Sequence, residues 1–247
     1  MIIAVCNQKG GVGKTATAQA IATGAAFSGL KSLAIDLDAQ GNLSFSMGGN
    51  SADKGVFELL TGKATPAQVI QHTEQGDIIT ASADLSAADS TFRGTERGTA
   101  LKDAIRPIKK KYDVITIDCP PSLNTLLINA LVAADLVIVP LTADMYAVQG
   151  LYNLKQTIEW AQQHNKSLKI GGILFTRHNT RTIIGRDLTD LIEEKCQDFG
   201  MPVYKTRIRD GVAIREAQTY RMSIFEYAPR AKVTQDYKLL LEEIGLH

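Results

Sequence analysis

Three glycines, two lysines and a hydroxyl crowd into eight residues near the start of the chain: Gln8, Lys9, Gly10, Gly11, Val12, Gly13, Lys14 and Thr15. Glycines let a backbone wrap closely round a polyphosphate, whose oxygens then take hydrogen bonds from the loop N–H groups and from the N-terminus of a following helix. At these offsets Lys14 reaches the β- and γ-phosphates and the Thr15 hydroxyl ligates Mg²⁺, so the run reads as a loop for Mg²⁺ and ATP. The general pattern has a glycine where this chain has Gln8, and the variant adds a second lysine, Lys9. Lys9 and Lys14 of one chain cannot serve the same oxygen. Lys9 either stays in solvent or reaches across a symmetric dimer to the partner's phosphates, as an arginine finger does in trans.

Two further carboxylates suit the same chemistry. Asp118 follows the apolar run Val114–Ile117, where a strand-end acid holds Mg²⁺ through water. A buried carboxylate without such a task would be costly to desolvate. Asp38 closes another apolar run, and Asp36 is its same-face neighbour at period two, either part of the site or a support for the strand end.

These residues need elements to hold them, and the hydrophobic pattern supplies them. Strands are predicted over Ile2–Cys6, Ser32–Asp38, Asp77–Ala81, Asp113–Cys119, Leu136–Leu141 and Lys169–Phe175. Helices are predicted over Thr15–Phe27, stopped by Gly29, and over Asn124–Ala134, Met145–Gln162, Thr182–Phe199 and Thr234–Ile244. Strand, loop, helix is the repeating unit, the mark of an α/β fold: a mostly parallel twisted sheet flanked by helices on both faces, binding its ligand beyond the strands' carboxyl ends. Leu151, Leu154 and Ile158 form a core-facing stripe. Between Gly41 and Gly98 the pattern weakens, with no linker and no repeat.

The 247 residues, 45% apolar and 21% charged, fit one domain over 1–247. A net charge of +1 argues neither for nor against a polyanionic partner, so any basic patch must be local. Cys6, Cys119 and Cys196 are odd in number and lack metal-ligand spacing, which points to a reducing compartment. The start carries no basic leader, and ALVAADLVIVPL is too short to span a bilayer and is broken by Asp135 and Pro140. A cytoplasmic protein is expected.

QKGGVGKT, DLDAQGN at Asp36–Asn42 and DVITIDCPPSL at Asp113–Leu123 resemble the deviant Walker A family of P-loop ATPases, typified by ParA-type partition ATPases and MinD. The similarity continues through NALVAADLVIVPL, GGILFT, RIRDGVAIREAQ and FEYAPRAK, in order along nearly the whole chain. It implies a homodimer formed on ATP, with Lys9 acting across a nucleotide sandwich and Asp38 positioning the attacking water. It also places Thr176, Arg177, His178 and Asn179, with Arg209 and Asp210, in the family's base-binding region. Two positions depart from the family: Ala16 stands where a second hydroxyl is usual, and Ala39 where a proline is frequent. The first removes a contact to the α-phosphate worth about 1 kcal/mol. Slow hydrolysis without an activator is expected, because loop and metal alone undercompensate the transition-state charge.

Residues Val203–Lys232 concentrate cations: Lys205, Arg207, Arg209, Arg215, Arg221, Arg230 and Lys232 against three acids, a net +4. The partition branch of the family binds DNA without sequence preference through basic residues of this part. The resemblance therefore implies DNA contacts from Arg207, Arg215, Arg221, Arg230 and Lys232, salt-sensitive as phosphate contacts are; a merely solvated or internally paired basic face is the alternative. The expected function is an ATP-dependent switch that segregates or positions DNA with a ParB-like partner, associated with the nucleoid when loaded with ATP. The chain opens at its first strand, so no N-terminal helix-turn-helix extension is expected. A MinD-like membrane-cycling regulator would need a basic amphipathic tail, yet Lys238 is the only cation after Asp236. A metal-cluster reductase would need paired cysteines at the dimer axis, and a ligase or kinase on the same fold would need a further substrate pocket.

Overall fold

The apolar runs pair into one sheet. The computed structural model describes residues 1–92, 96–178 and 183–246, so Asn179 and the helix start expected at Thr182 lie outside the described residues. Among the described residues the strands are β1 (Ile2–Val5), β2 (Ser32–Asp36), β3 (Ile70–Thr73), β4 (Gly76–Ile79), β5 (Val114–Asp118), β6 (Leu136–Leu141) and β7 (Lys169–Phe175). They lie in the order β3-β4-β2-β5-β1-β6-β7. Every neighbouring pair is parallel except the edge hairpin β3–β4.

The helices are α1 (Lys14–Phe27), α2 (Asn42–Ser46), α3 (Val56–Leu60), α4 (Pro66–Val69), α5 (Ala88–Thr91) and α6 (Glu96–Ile105). There follow α7 (Thr125–Ala133), α8 (Ala147–His164), α9 (Ile183–Asp198), α10 (Val212–Thr219), α11 (Ile224–Tyr227) and α12 (Lys232–Glu243). Ile2, Ala4 and Cys6 enter one buried cluster, Ile3 and Val5 the other, the period-two split of a strand covered on both faces. Residues of α6, α7 and α8 complete the first cluster, and residues of α1 and α12 the second. The α8 stripe of Leu151, Leu154 and Ile158 is buried as its spacing predicts.

Helix α1 starts where Gly13 turns left-handed (φ 82°) and ends in a Schellman arrangement, with Gly29 at φ 83° and the Leu30 N–H on Ala25 O at 3.0 Å. Three expectations change. β2 stops at Asp36, which places Asp38 in the following loop rather than at the strand end, because the Asp38 N–H donates to the Asp36 side chain at 3.1 Å instead of to a neighbouring strand. The weakly patterned stretch after Gly41 holds the β3–β4 hairpin and short helices, too short to show periodicity. The basic segment folds into α10 and α11, which its spacing did not announce.

Candidate nucleotide site

The carboxyl ends of β1, β2 and β5 open onto a cavity of about 580 Å³, the size class of a small-molecule site. Gly10, Gly11, Gly13, Lys14, Thr15 and Ala16 line it, with Asp38, Arg209 and Asp210 at other points of its wall. Gly11 and Gly13 take φ of 74° and 82°, a conformation that favours glycine. Lys14 is buried, and its ammonium donates to the Lys9 carbonyl at 3.0 Å, so it is held against the loop it would serve.

Residues outside the loop fix its shape. Asn7 donates to Pro140 O at 2.7 Å and accepts from the Lys9 N–H at 3.0 Å. Thr176, beyond β7, donates to Val12 O at 2.8 Å, with Leu141 O at 3.2 Å. Sequence reading passed over Asn7, although an asparagine two residues ahead of a turn is a recognised local signal. It placed Thr176 near the base, whereas the Thr176 hydroxyl is spent on the loop.

Asp118 ends β5 fully buried, and neither of its carboxylate oxygens has a hydrogen-bond partner of normal geometry. Burial pushes its pKa well above the usual carboxylate range, the Asp36 charge adds to this, and the nearby Thr15 hydroxyl and Lys14 ammonium offset part of it. Two orphaned buried oxygens beside a threonine hydroxyl are the donor set of a hard divalent cation, so the residues present fit Mg²⁺. Asp36 is buried too, and desolvation raises its pKa to about 6 against the opposing hydrogen bonds from Ser44 and the Asp38 N–H. Ser44 N–H and Oγ donate to Asp36 Oδ2 at 2.8 and 2.7 Å, so Asp36 organises the loop that carries Asp38. Asp38 itself borders the cavity, with its Oδ1 accepting from the Gln40 N–H at 3.1 Å.

Lys9 points elsewhere. Its ammonium forms an ion pair with Asp144 at 2.5 Å, in the loop between β6 and α8, and it does not line the cavity. Partial burial works against ionisation of Asp144, but hydrogen bonds from Lys9, Thr142 and the Tyr146 N–H hold its carboxyl below the ordinary value.

The two segments expected near the base do meet: the His178 N–H donates to Ile208 O at 2.9 Å, and His178 bridges to Arg209. Arg177 between them and the loop is left-handed at φ 48°. Arg209 grips buried Asp236 of α12 through Nε and Nη2 at 2.7 and 2.8 Å, so its guanidinium is committed to a structural pair at the cavity rim. Arg207 is likewise engaged: it pairs with Glu193 and stacks over Phe175, 4.9 Å from the ring centroid. That internal pairing sets it apart from the other expected DNA contacts. Arg215, Arg221, Arg230 and Lys232 are exposed and form no ion pair among the described residues.

Among the described residues no helix is long and apolar enough to cross a membrane. A family model described as an AAA domain matches residues 1–170. The sporulation initiation inhibitor protein Soj of Bacillus subtilis is 39% identical over 99% of this chain and 98% of its own length. The chromosome-partitioning ATPase Soj of Treponema pallidum is 37% identical over 96% of this chain and 94% of its own. A structure of cobyrinic acid a,c-diamide synthase from Mycobacterium smegmatis, with an ATP analogue and magnesium bound, superposes with a TM-score of 0.85 at 33% identity, over 98% of this chain and 92% of that one. With the glycine loop, buried Asp118 and the parallel sheet already in place, these likenesses show that the chain belongs to the ParA/Soj family of partition ATPases, P-loop proteins of the α/β class.

Proposed function

We propose that this protein binds ATP with Mg²⁺ in the glycine-loop cavity, dimerises in that state, binds DNA without sequence preference, and is reset when a ParB-like partner stimulates hydrolysis. The observation that carries the reading is Asp118: a fully buried carboxylate with both oxygens unpartnered beside the Lys14–Thr15 end of the loop. Thr15 and Asp118 would hold Mg²⁺, Asp118 through water; bound there, the ion supplies positive charge for the β- and γ-phosphate oxygens. Lys14 neutralises the same oxygens, and the loop N–H groups fix their positions. Asp38, steadied by Asp36, orients the water that attacks. Lys9 adds its charge from the partner subunit once it leaves Asp144, so a single chain is expected to turn over slowly.

The DNA part rests on Arg215, Arg221, Arg230 and Lys232, exposed cations that form no ion pair among the described residues. Anisotropy of a random duplex with ATP, with ADP and without nucleotide, at two salt concentrations, is the direct test. Binding confined to ATP and falling steeply with salt is expected; binding in no state would remove the DNA assignment and leave the ATPase. Lys14→Ala is expected to abolish ATP binding, and Lys9→Ala to keep binding and lose dimerisation. Asp38→Ala should accumulate an ATP-bound dimer, and wild-type turnover in that variant would defeat the water-positioning role.

The likeness to the Mycobacterium smegmatis structure favours a second reading, an ATP-dependent amide synthase. Releasing ammonia from an amide donor calls for an accessible, activated thiol. Cys6, Cys119 and Cys196 are all buried, and burial pushes the Cys196 thiol up to about 11. Amidation of cobyrinic acid with free ammonia and ATP would be the outcome that restores this reading.

A further inference from the structure

Two buried carboxamides lie between α1 and the basic segment, and the chemistry above uses neither. Gln19 is one turn beyond Thr15, and Gln75 sits in the β3–β4 turn; they are 5% and 7% exposed. Gln19 Nε2 donates to Gln75 Oε1 at 2.9 Å, with Ser46 O and Met222 O each at 3.2 Å. Gln75 Nε2 donates to Ser46 O at 2.6 Å and to Arg221 O at 2.8 Å. Four segments distant in sequence thus meet at one pair of amides. Apolar side chains in the same space would leave the carbonyls of Ser46, Arg221 and Met222 without these donors, so the pair ties the backbones of separate segments to one another.

Both ends of the network lead to functional groups. Toward the cavity, α2 is tied to Asp36 through Ser44, and Asp36 accepts from the N–H of Asp38. Toward the basic segment, Arg221 is left-handed at φ 53°, a conformation costly for a side-chain-bearing residue that persists only where its surroundings hold it. The bonds that close α10 hold it, with the Arg221 N–H on Gln218 O at 3.1 Å and the Met222 N–H on Ala217 O at 2.9 Å. Two contacts then tie that turn to the rest of the network: the Gln75 bond to the Arg221 carbonyl, and the Arg221 guanidinium 4.4 Å from the centroid of Phe45, a residue of α2 that also lines the cavity.

We propose that Gln19 and Gln75 are positioning residues that carry the state of the nucleotide site, by way of Asp36 and α2, to the Arg221–Met222 turn. The consequence for DNA rests on the proposed function, in which Arg221 is a phosphate contact. A shift of the Asp38 loop on nucleotide binding moves Ser46 O and Phe45, and the shared amides oblige Arg221 to follow.

Hydrogen exchange of the amides at 219–223 in the full chain, with and without a non-hydrolysable ATP analogue and Mg²⁺, reads the coupling without DNA. Wild-type protein is expected to change its exchange at this turn by about tenfold, the size of ordinary site–site coupling. Gln75→Met, which keeps the volume and removes both donors, is expected to bind the analogue within about twofold of wild type and lose that response. It should also lose about tenfold in the ratio of DNA affinities with ATP and ADP. If Gln75→Met does not fold, Gln19→Met carries the same test from the other amide. An unchanged response in the folded variant, or none in wild type, overturns the proposal. Coupled exchange in wild type with no DNA binding in any state supports the relay and overturns the DNA reading instead.

Discussion

Lys9 carries the tension in the site. Its type and place in the loop match a residue that acts across a dimer, yet in the single chain its ammonium is on Asp144 at 2.5 Å. The pair is partly exposed, 45% and 29% for the two side chains, so it costs no more than about 0.2–1 kcal/mol to break. Such a contact restrains Lys9 without locking it. Asp144→Asn is therefore expected to lower the protein concentration needed for ATP-dependent dimerisation, by at most about fivefold, measured by light scattering with the ATP analogue. Dimerisation that weakens in this variant would mean that Asp144 serves the dimer rather than the single chain. The places of Lys14 and Thr15 in the loop and of Asp118 at a strand end were legible because a loop and a strand are written in local order; that Lys9 turns to Asp144 was not. Nor was the hold of Asp144 and Thr176 on the loop, since their bonds to it close over 135 and 164 residues; Asn7 was passed over although its bond to the Lys9 N–H is local.

At the next level, α1 links the site to the rest of the fold, and Gly24 shows how tightly. A Cβ added there would clash with Leu241 Cδ1 of α12 and lie 2.8 Å from Phe225 Cε2 of α11. α11 and α12 can approach α1 this closely because no side chain stands between them. Gly24→Ala gains helix propensity of about 1 kcal/mol but overpacks the contact at a cost of about 1–3 kcal/mol. A lower melting temperature is the expected net result, with α11 and α12 losing exchange protection first. An unchanged or raised melting temperature would show that the contact gives way freely. The elements that were predicted fall within two residues of the observed ends because apolar periodicity sets them, whereas α6, ten residues long, was missed. α2, α10 and α11 were missed because one or two turns carry too few periodic positions to register.

Taken as a single folding unit, the protein stores electrostatic cost at its site. Asp36 has its folded pKa raised to about 6 by burial, above the value of about 3.9 in an unfolded chain. The folded state therefore binds this proton more tightly, so the contribution to stability is complete below the unfolded pKa and is lost as pH rises through about 6. Asp118 shifts in the same direction. The ligand-free protein is expected to lose melting temperature between about pH 4 and 7, and Asp36→Asn to flatten part of that slope. ATP with Mg²⁺ should raise the melting temperature more at about pH 7.5 than at pH 5, because a proton on Asp118 competes with the cation. Equal stabilisation at both values would remove Asp118 from the metal site.

The order of residues along the chain was enough to establish the phosphate loop, the parallel α/β architecture and the strand-end acid, because each depends on neighbours or on a short periodic pattern. Composition placed the excess of positive charge in Val203–Lys232. Which cations stay available was decided only in three dimensions: Glu193 and Asp236 take up Arg207 and Arg209, whereas Arg215, Arg221, Arg230 and Lys232 form no ion pair among the described residues. The fold likewise brought Gln19 and Gln75 together from opposite ends of a 56-residue interval. A carboxamide's partners are chosen by whatever backbone carbonyls tertiary packing leaves beside it, and no local pattern records that choice.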